Sequence, residues 1–96
     1  MSTTPVQPKP LTLLFFASAS SATTLSTLSY PLPSSPNPYT LSSLGADLAK
    51  RFPKLAAVLE TSSWAVNEEM VGEEEAEGWV LKGGETVAVL PPVSGG

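Results

Sequence analysis

The stretch Thr40-Leu41-Ser42-Ser43-Leu44-Gly45-Ala46-Asp47-Leu48-Ala49-Lys50-Arg51-Phe52-Pro53 decides how the rest of the chain must be arranged. Thr40 is a hydroxyl residue of the kind that caps a helix, its oxygen accepting an orphan backbone N–H. Behind it Leu41, Leu44, Leu48 and Phe52 recur at spacings of three and four, which places them on one side of a helix. Lys50 and Arg51 suit the negative end of the helix dipole, Gly45 weakens the helix slightly, and Pro53 stops it. A helix of about a dozen residues with a single apolar stripe needs a sheet to lie on.

Candidate strands stand on both sides of it. Upstream, Leu11 to Ala17 is short, apolar and aromatic, the pattern of a strand buried on both faces. Ser18 to Thr23 reads as a connection, and Thr24 to Tyr30 alternates loosely enough to pair back as a hairpin. Pro31 to Pro38 is a loop, because each proline removes a ladder donor and restricts its predecessor. Downstream, Leu55, Ala56, Val58 and Leu59 suggest a short helical turn. Trp64-Ala65-Val66 begins a strand that turns at Asn67-Glu68 and returns through Met70-Val71. After an acidic stretch from Gly72 to Gly78 come Trp79-Val80-Leu81, a Lys82-Gly83-Gly84-Glu85 turn and the strand Thr86-Val87-Ala88-Val89-Leu90. Hairpin, helix, short strands and closing strand make an α+β domain over residues 11–92, a mixed sheet with one main helix packed on one face.

With 96 residues the chain has room for one core. Residues 1–10, crowded by Pro5, Pro8 and Pro10, lack the apolar surface to offset their ordering entropy and are expected to be a disordered tail. The formal net charge is -4, and the basic residues are scattered apart from Lys50, Arg51 and Lys54, so nucleic acid is not an expected partner. The acidic run through Glu68, Glu69, Glu73, Glu74, Glu75 and Glu77 reads first as a solvated loop, and second as a docking face for a basic partner. There is no cysteine and no histidine, which removes thiolate chemistry, imidazole acid-base catalysis and the usual zinc sites together. The run Leu11 to Ala17 with Ser18-Ala19-Ser20-Ser21-Ala22 behind it has the outline of a secretory signal. Only Lys9 supplies side-chain charge ahead of it, and it falls far short of the roughly 20 residues a membrane span needs. We read it as the first strand, and expect a cytoplasmic protein without a membrane partner.

The last strand runs into Pro91-Pro92-Val93-Ser94-Gly95-Gly96. Two prolines make a stiff, extended exit, and two glycines make an end thin enough to thread a narrow channel. A frayed end would look the same in composition. The functional reading has a mechanical basis, because such an end can present its terminal carboxylate to a partner's active site. A carboxylate is a poor electrophile, so the chemistry requires ATP to convert it to an acyl-adenylate. A sulfur donor can then displace the adenylate and leave a thiocarboxylate.

From Leu81 to Gly96 the chain closely resembles the end of the small, sulfur-carrying subunits of molybdopterin synthase, a ubiquitin-like family. A turn of glycine and acidic residues precedes an apolar strand, then Pro-Pro, a β-branched residue, a small residue and Gly-Gly. Leu14-Phe15-Phe16-Ala17 resembles that family's first strand, and Ala65-Val66-Asn67 with Met70-Val71 its central hairpin. Departures are the proline-bearing N-terminal tail, the Pro31 to Pro38 loop and the acidic expansion around Glu73 to Glu77.

The resemblance implies the β-grasp fold, a flexible tail over residues 93–96, and a heterotetramer with two large catalytic subunits. It implies that a separate ubiquitin-activating-like adenylyltransferase and sulfurtransferase modifies Gly96, which then gives sulfur to the molybdopterin dithiolene. No bound cofactor is implied, only the covalent acyl-adenylate and thiocarboxylate. Gly95 would serve threading, Pro91 and Pro92 the stiff lead-in, and Val93 and Ser94 partner contact. Phe15, Val87 and Val89 are assigned to core packing ahead of interface. Alternatives are a carrier for thiamine thiazole sulfur, one for tRNA thiolation and protein conjugation, and a β-grasp interaction module with an inert end.

Overall fold

The computed structural model describes residues 9–34 and 37–92. Five strands, β1 (Leu11–Phe15), β2 (Thr27–Tyr30), β3 (Ser63–Val66), β4 (Glu69–Val71) and β5 (Thr86–Leu90), form one sheet in the order β2-β1-β5-β3-β4. The two central strands, β1 and β5, run parallel, with Leu13 opposite Val87 and Phe15 opposite Val89, while the flanking pairs are antiparallel. This is the β-grasp arrangement that the order of elements and the resemblance predict. Most of the tail expected over residues 1–10, and all of Val93, Ser94, Gly95 and Gly96, lie outside the described residues.

The decisive helix is α2 (Leu41–Arg51), and the Thr40 hydroxyl accepts the Ser43 N–H at 3.2 Å as its cap. Leu41, Leu44 and Leu48 are fully buried against Leu11, Leu13, Phe15, Val87 and Val89 of the central strands. Each such leucine contributes about 2 kcal/mol of transfer free energy. Phe52 closes the helix end half-buried, edge-on to Phe15 at a centroid distance of 6.3 Å. Phe15, Val87 and Val89 are therefore core residues, as expected.

Four sequence expectations change. Leu11 to Ala17 is not buried on both faces, since Leu11, Leu13 and Phe15 point into the core while Thr12 is exposed and Phe16 is 47% exposed. Ser18–Thr23, read as a connection, is a short helix, α1, held by the buried Ala19 and by Thr23, whose hydroxyl donates to the Ala19 carbonyl at 3.0 Å. Pro53 stops α2 and at once opens α3 (Pro53–Thr61), longer than the single turn expected, because a proline at the first helical position loses no bond. The acidic stretch contains one further turn, α4 (Glu73–Ala76), tied down by the buried Ala76.

Trp79-Val80-Leu81 is not a strand of the main sheet. It straps the start of α2, with Leu41 N donating to the Trp79 carbonyl at 2.9 Å and Leu81 N to the Tyr39 carbonyl at 2.8 Å. Beneath that strap the Tyr39 hydroxyl donates to Asp47 Oδ2 at 2.6 Å. Burial first, and then the hydrogen bond to Asp47, push the Tyr39 phenol pKa far above its ordinary value of 10.0. The neutral phenol is thus favoured by folding. Its contribution to stability is complete below about pH 10, where the unfolded phenol is also neutral, and declines as pH rises above that point. Tyr39→Phe is expected to be about 1 kcal/mol less stable than the parent near pH 8 and about equal to it near pH 11, as read by urea unfolding at both values. An unchanged gap at the two pH values would refute the assignment.

Candidate functional site

The two faces of the sheet are unlike. Helices α2 and α3 cover one; the other carries Leu14 from the first strand and Phe16 just past its end, Thr86, Ala88 and Leu90 from the last strand, Ala65 from β3 and Met70 from β4. The register explains why they form one surface. Leu14 lies opposite Ala88, Ala88 opposite Ala65 and Ala65 opposite Met70, so one row of apolar side chains crosses four strands. Two alanines in the middle of that row, between larger residues at its ends, leave a shallow hollow of about 650 Å³. Met70 at 59% and Phe16 at 47% stand exposed on its rim. A strand residue facing water has no need to be Phe, Met or Leu, and a contiguous exposed patch of them has the character of a binding surface.

The β3–β4 turn borders this hollow. Asn67 and Glu68 both adopt positive φ, 49° and 69°, as a two-residue hairpin of the twist-matched type requires. Asn67 locks the turn to the last strand, since its backbone N–H donates to the Thr86 carbonyl at 2.8 Å and its side-chain oxygen accepts the Thr86 N–H at 3.0 Å. On the other side of the same hairpin Glu69 faces away, toward Val66, Trp79 and Val80.

The strand that leads to the C-terminal residues is held at both ends. Before it, Gly83 and Gly84 take φ of 107° and 85°, which glycine adopts without strain, and the Glu85 carboxylate accepts the N–H groups of Lys82 at 2.8 Å and Gly83 at 2.6 Å. This is the turn expected at Lys82 to Glu85. Within it, β5 bonds to a neighbour on each side, down to Leu90 opposite Ser63. Pro91 is then buried and Pro92 exposed, so the stiff exit begins with one proline still packed on the domain. Of the residues expected to act, Pro91 and Pro92 are placed here, at the end of the strand whose last residue, Leu90, lines the apolar hollow.

Sequence reasoning missed the hollow itself. The signal was present in Leu14, Phe16, Ala65, Met70, Ala88 and Leu90, all on the strand parity opposite to the core. Among the described residues no cluster of acidic side chains is arranged to hold a metal ion, and no helix is long and apolar enough to cross a membrane.

Comparison with known proteins bears on this geometry. The ThiS family matches residues 13–96. The molybdopterin synthase sulfur carrier subunit of Mycosarcoma maydis is 38% identical over 86 residues, covering 88% of this chain and 90% of that protein. Among solved structures, the small archaeal modifier protein 1 of Methanosarcina acetivorans superposes with a TM-score of 0.73 at 18% identity, covering 95% of this chain and all of the other. The complex of subunits 1 and 2 of the molybdopterin-converting factor from Helicobacter pylori contains a chain that superposes with a TM-score of 0.61 at 20% identity, covering 90% of this chain and 97% of that one. At such identities the two structures speak for the fold.

Proposed function

This chain belongs to the ThiS family, and from that membership we propose that it is the sulfur carrier subunit of a molybdopterin synthase, working through the carboxylate of Gly96. The observation that carries the reading is the position of β5. Its last residue, Leu90, lines the apolar hollow, and Gly96 follows six residues later. Six extended residues reach at most about 20 Å. A partner seated on the hollow therefore has the terminal carboxylate within range of a cleft in its own surface.

In the proposed sequence a separate activating enzyme, of the ubiquitin-activating-like type, lets the Gly96 carboxylate attack the α-phosphate of ATP, releasing pyrophosphate and leaving an acyl-adenylate. A sulfur donor then adds at the activated carbonyl and expels AMP, so one carboxylate oxygen has been exchanged for sulfur. The thiocarboxylate enters the active site of the large catalytic subunit, delivers its sulfur toward the molybdopterin dithiolene, and returns as carboxylate after hydrolysis. The carrier needs no cysteine or histidine for any of this, in keeping with a chain that has neither. Gly95 and Gly96, lacking side chains, pass a constriction that any other residue would fill.

The large subunit is the proposed occupant of the open sheet face, two copies of each chain forming a heterotetramer in the cytoplasm. A hollow floored by Ala65 and Ala88 and rimmed by Phe16 and Met70 has the apolar centre and the aromatic and Met enrichment of protein–protein interfaces. The direct test is intact mass after incubation with ATP, a sulfur donor and the cognate activating enzyme. The expected result is a gain equal to one oxygen replaced by one sulfur, mapped to Gly96 by fragmentation. An unchanged mass would overturn the proposal.

A further inference from the structure

Of the described residues that line the apolar hollow, only Glu68 is charged. We infer that its carboxylate is the charge-pairing group of the docking face, receiving an arginine or lysine side chain of the large subunit and so fixing the register in which that subunit sits. The inference rests on the docking proposed above and specifies the chemistry of the partner's matching surface.

Three observations carry it. Glu68 holds φ of 69°, a left-handed conformation that a glycine would adopt without strain and that the twist of this hairpin demands. A non-glycine residue kept there at a conformational cost points to a use for its side chain. The turn is also rigid, because Asn67 ties it to Thr86 by two hydrogen bonds, one from its backbone and one through its side chain. The carboxylate is thereby carried on a fixed post beside the hollow, which lowers the entropy lost when a cation docks on it. Finally, the neighbouring carboxylate offers an internal contrast. Glu69 is exposed as well, but it lies on the opposite flank of the hairpin, with Val66, Trp79 and Val80.

An exposed ion pair on a free surface is worth little. At the edge of an apolar interface the same pair loses water on docking, and charge matched across an interface governs register and on-rate. The chain's net charge of -4 sets a general attraction for basic partners, which either glutamate would share. A pair formed by Glu68 alone predicts a difference between them.

The test measures binding of the full-length chain to its large subunit by calorimetry at low and moderate salt. Glu68→Gln is expected to weaken binding about tenfold and to flatten its salt dependence, whereas Glu69→Gln, with the same change in net charge, stays within about twofold. Glu68→Gly separates the roles further. It relieves the backbone, so its melting temperature rises above that of the parent, yet it binds as weakly as Glu68→Gln. Equal losses in Glu68→Gln and Glu69→Gln, or binding of Glu68→Gln within twofold of the parent, would overturn the pairing while leaving the docking face intact. Failure of the parent chain to bind the large subunit would overturn both.

Discussion

Phe16→Asp is expected to weaken binding of the large subunit by more than about hundredfold while the domain stays folded, with a melting temperature within a few degrees of the parent. The asymmetry follows from where Phe16 stands. It is 47% exposed and belongs to the open face, past the end of β1, so the core of Leu11, Leu13 and Phe15 does not depend on it. Its removal from the free domain forfeits only the part of its surface already covered. In the complex the balance reverses, because an aspartate there must either lose its water without a partner or hold the two surfaces apart. An unpaired carboxylate in an apolar interface costs several kcal/mol, and an aromatic side chain near the centre of an interface is a frequent site of concentrated binding energy. Met70→Asp, at 59% exposure across the same hollow, is expected to behave alike. Calorimetry with the large subunit and circular dichroism of the free chain check both halves. Undiminished binding by both variants would move the partner to another face.

The parts of this fold that were legible in the sequence are those in which local chemistry and tertiary burial agree. In α2 the cap at Thr40, the stripe of Leu41, Leu44, Leu48 and Phe52 and the stop at Pro53 all point to the same element; the three leucines are fully buried, and Phe52, at the helix C-cap, is half-buried. The strand Thr86–Leu90 and the hairpin at Asn67-Glu68 were legible for the same reason. The elements that were not legible are held from outside. Ser-Ala-Ser-Ser-Ala-Thr has weak intrinsic preference for helix, and Ser18–Thr23 is helical because Ala19 is buried and Thr23 bonds back to the Ala19 carbonyl. Trp79 to Leu81 looks like a strand but finds its hydrogen bonds with residues 39–41. The apolar character of the open sheet face was hidden by an ambiguity that periodicity cannot resolve. A short, mostly apolar run such as Leu11 to Ala17 reads as buried on both faces whether the second face is covered by its own chain or open at the surface.

Deleting Gly96 is expected to abolish sulfur loading, and dithiolene formation with it, while leaving the fold and the affinity for the large subunit unchanged. The shortened chain still ends in a glycine carboxylate, so the loss cannot be attributed to a missing functional group. It is a loss of reach. Each extended residue spans about 3.4 Å, and a reacting atom displaced by about 1 Å already costs on the order of a hundredfold in rate. In the proposed mechanism, a carboxylate withdrawn by a whole residue would no longer meet the α-phosphate of ATP in the activating enzyme, nor the acceptor in the synthase. The proposed docking face, from Leu14 and Phe16 across Ala88 and Ala65 to Met70, is untouched by the deletion, so the truncated chain should occupy the large subunit as well as the parent does. Two consequences can be measured together: intact mass shows no sulfur gained, and the truncated chain, added to a working synthase, inhibits it in competition with loaded carrier. Sulfur loading of the truncated chain at the parent's rate would show that position along the tail does not matter, and the role assigned to Gly96 would fall. Loss of loading without competitive inhibition would instead retain that role and displace the docking face from the sheet.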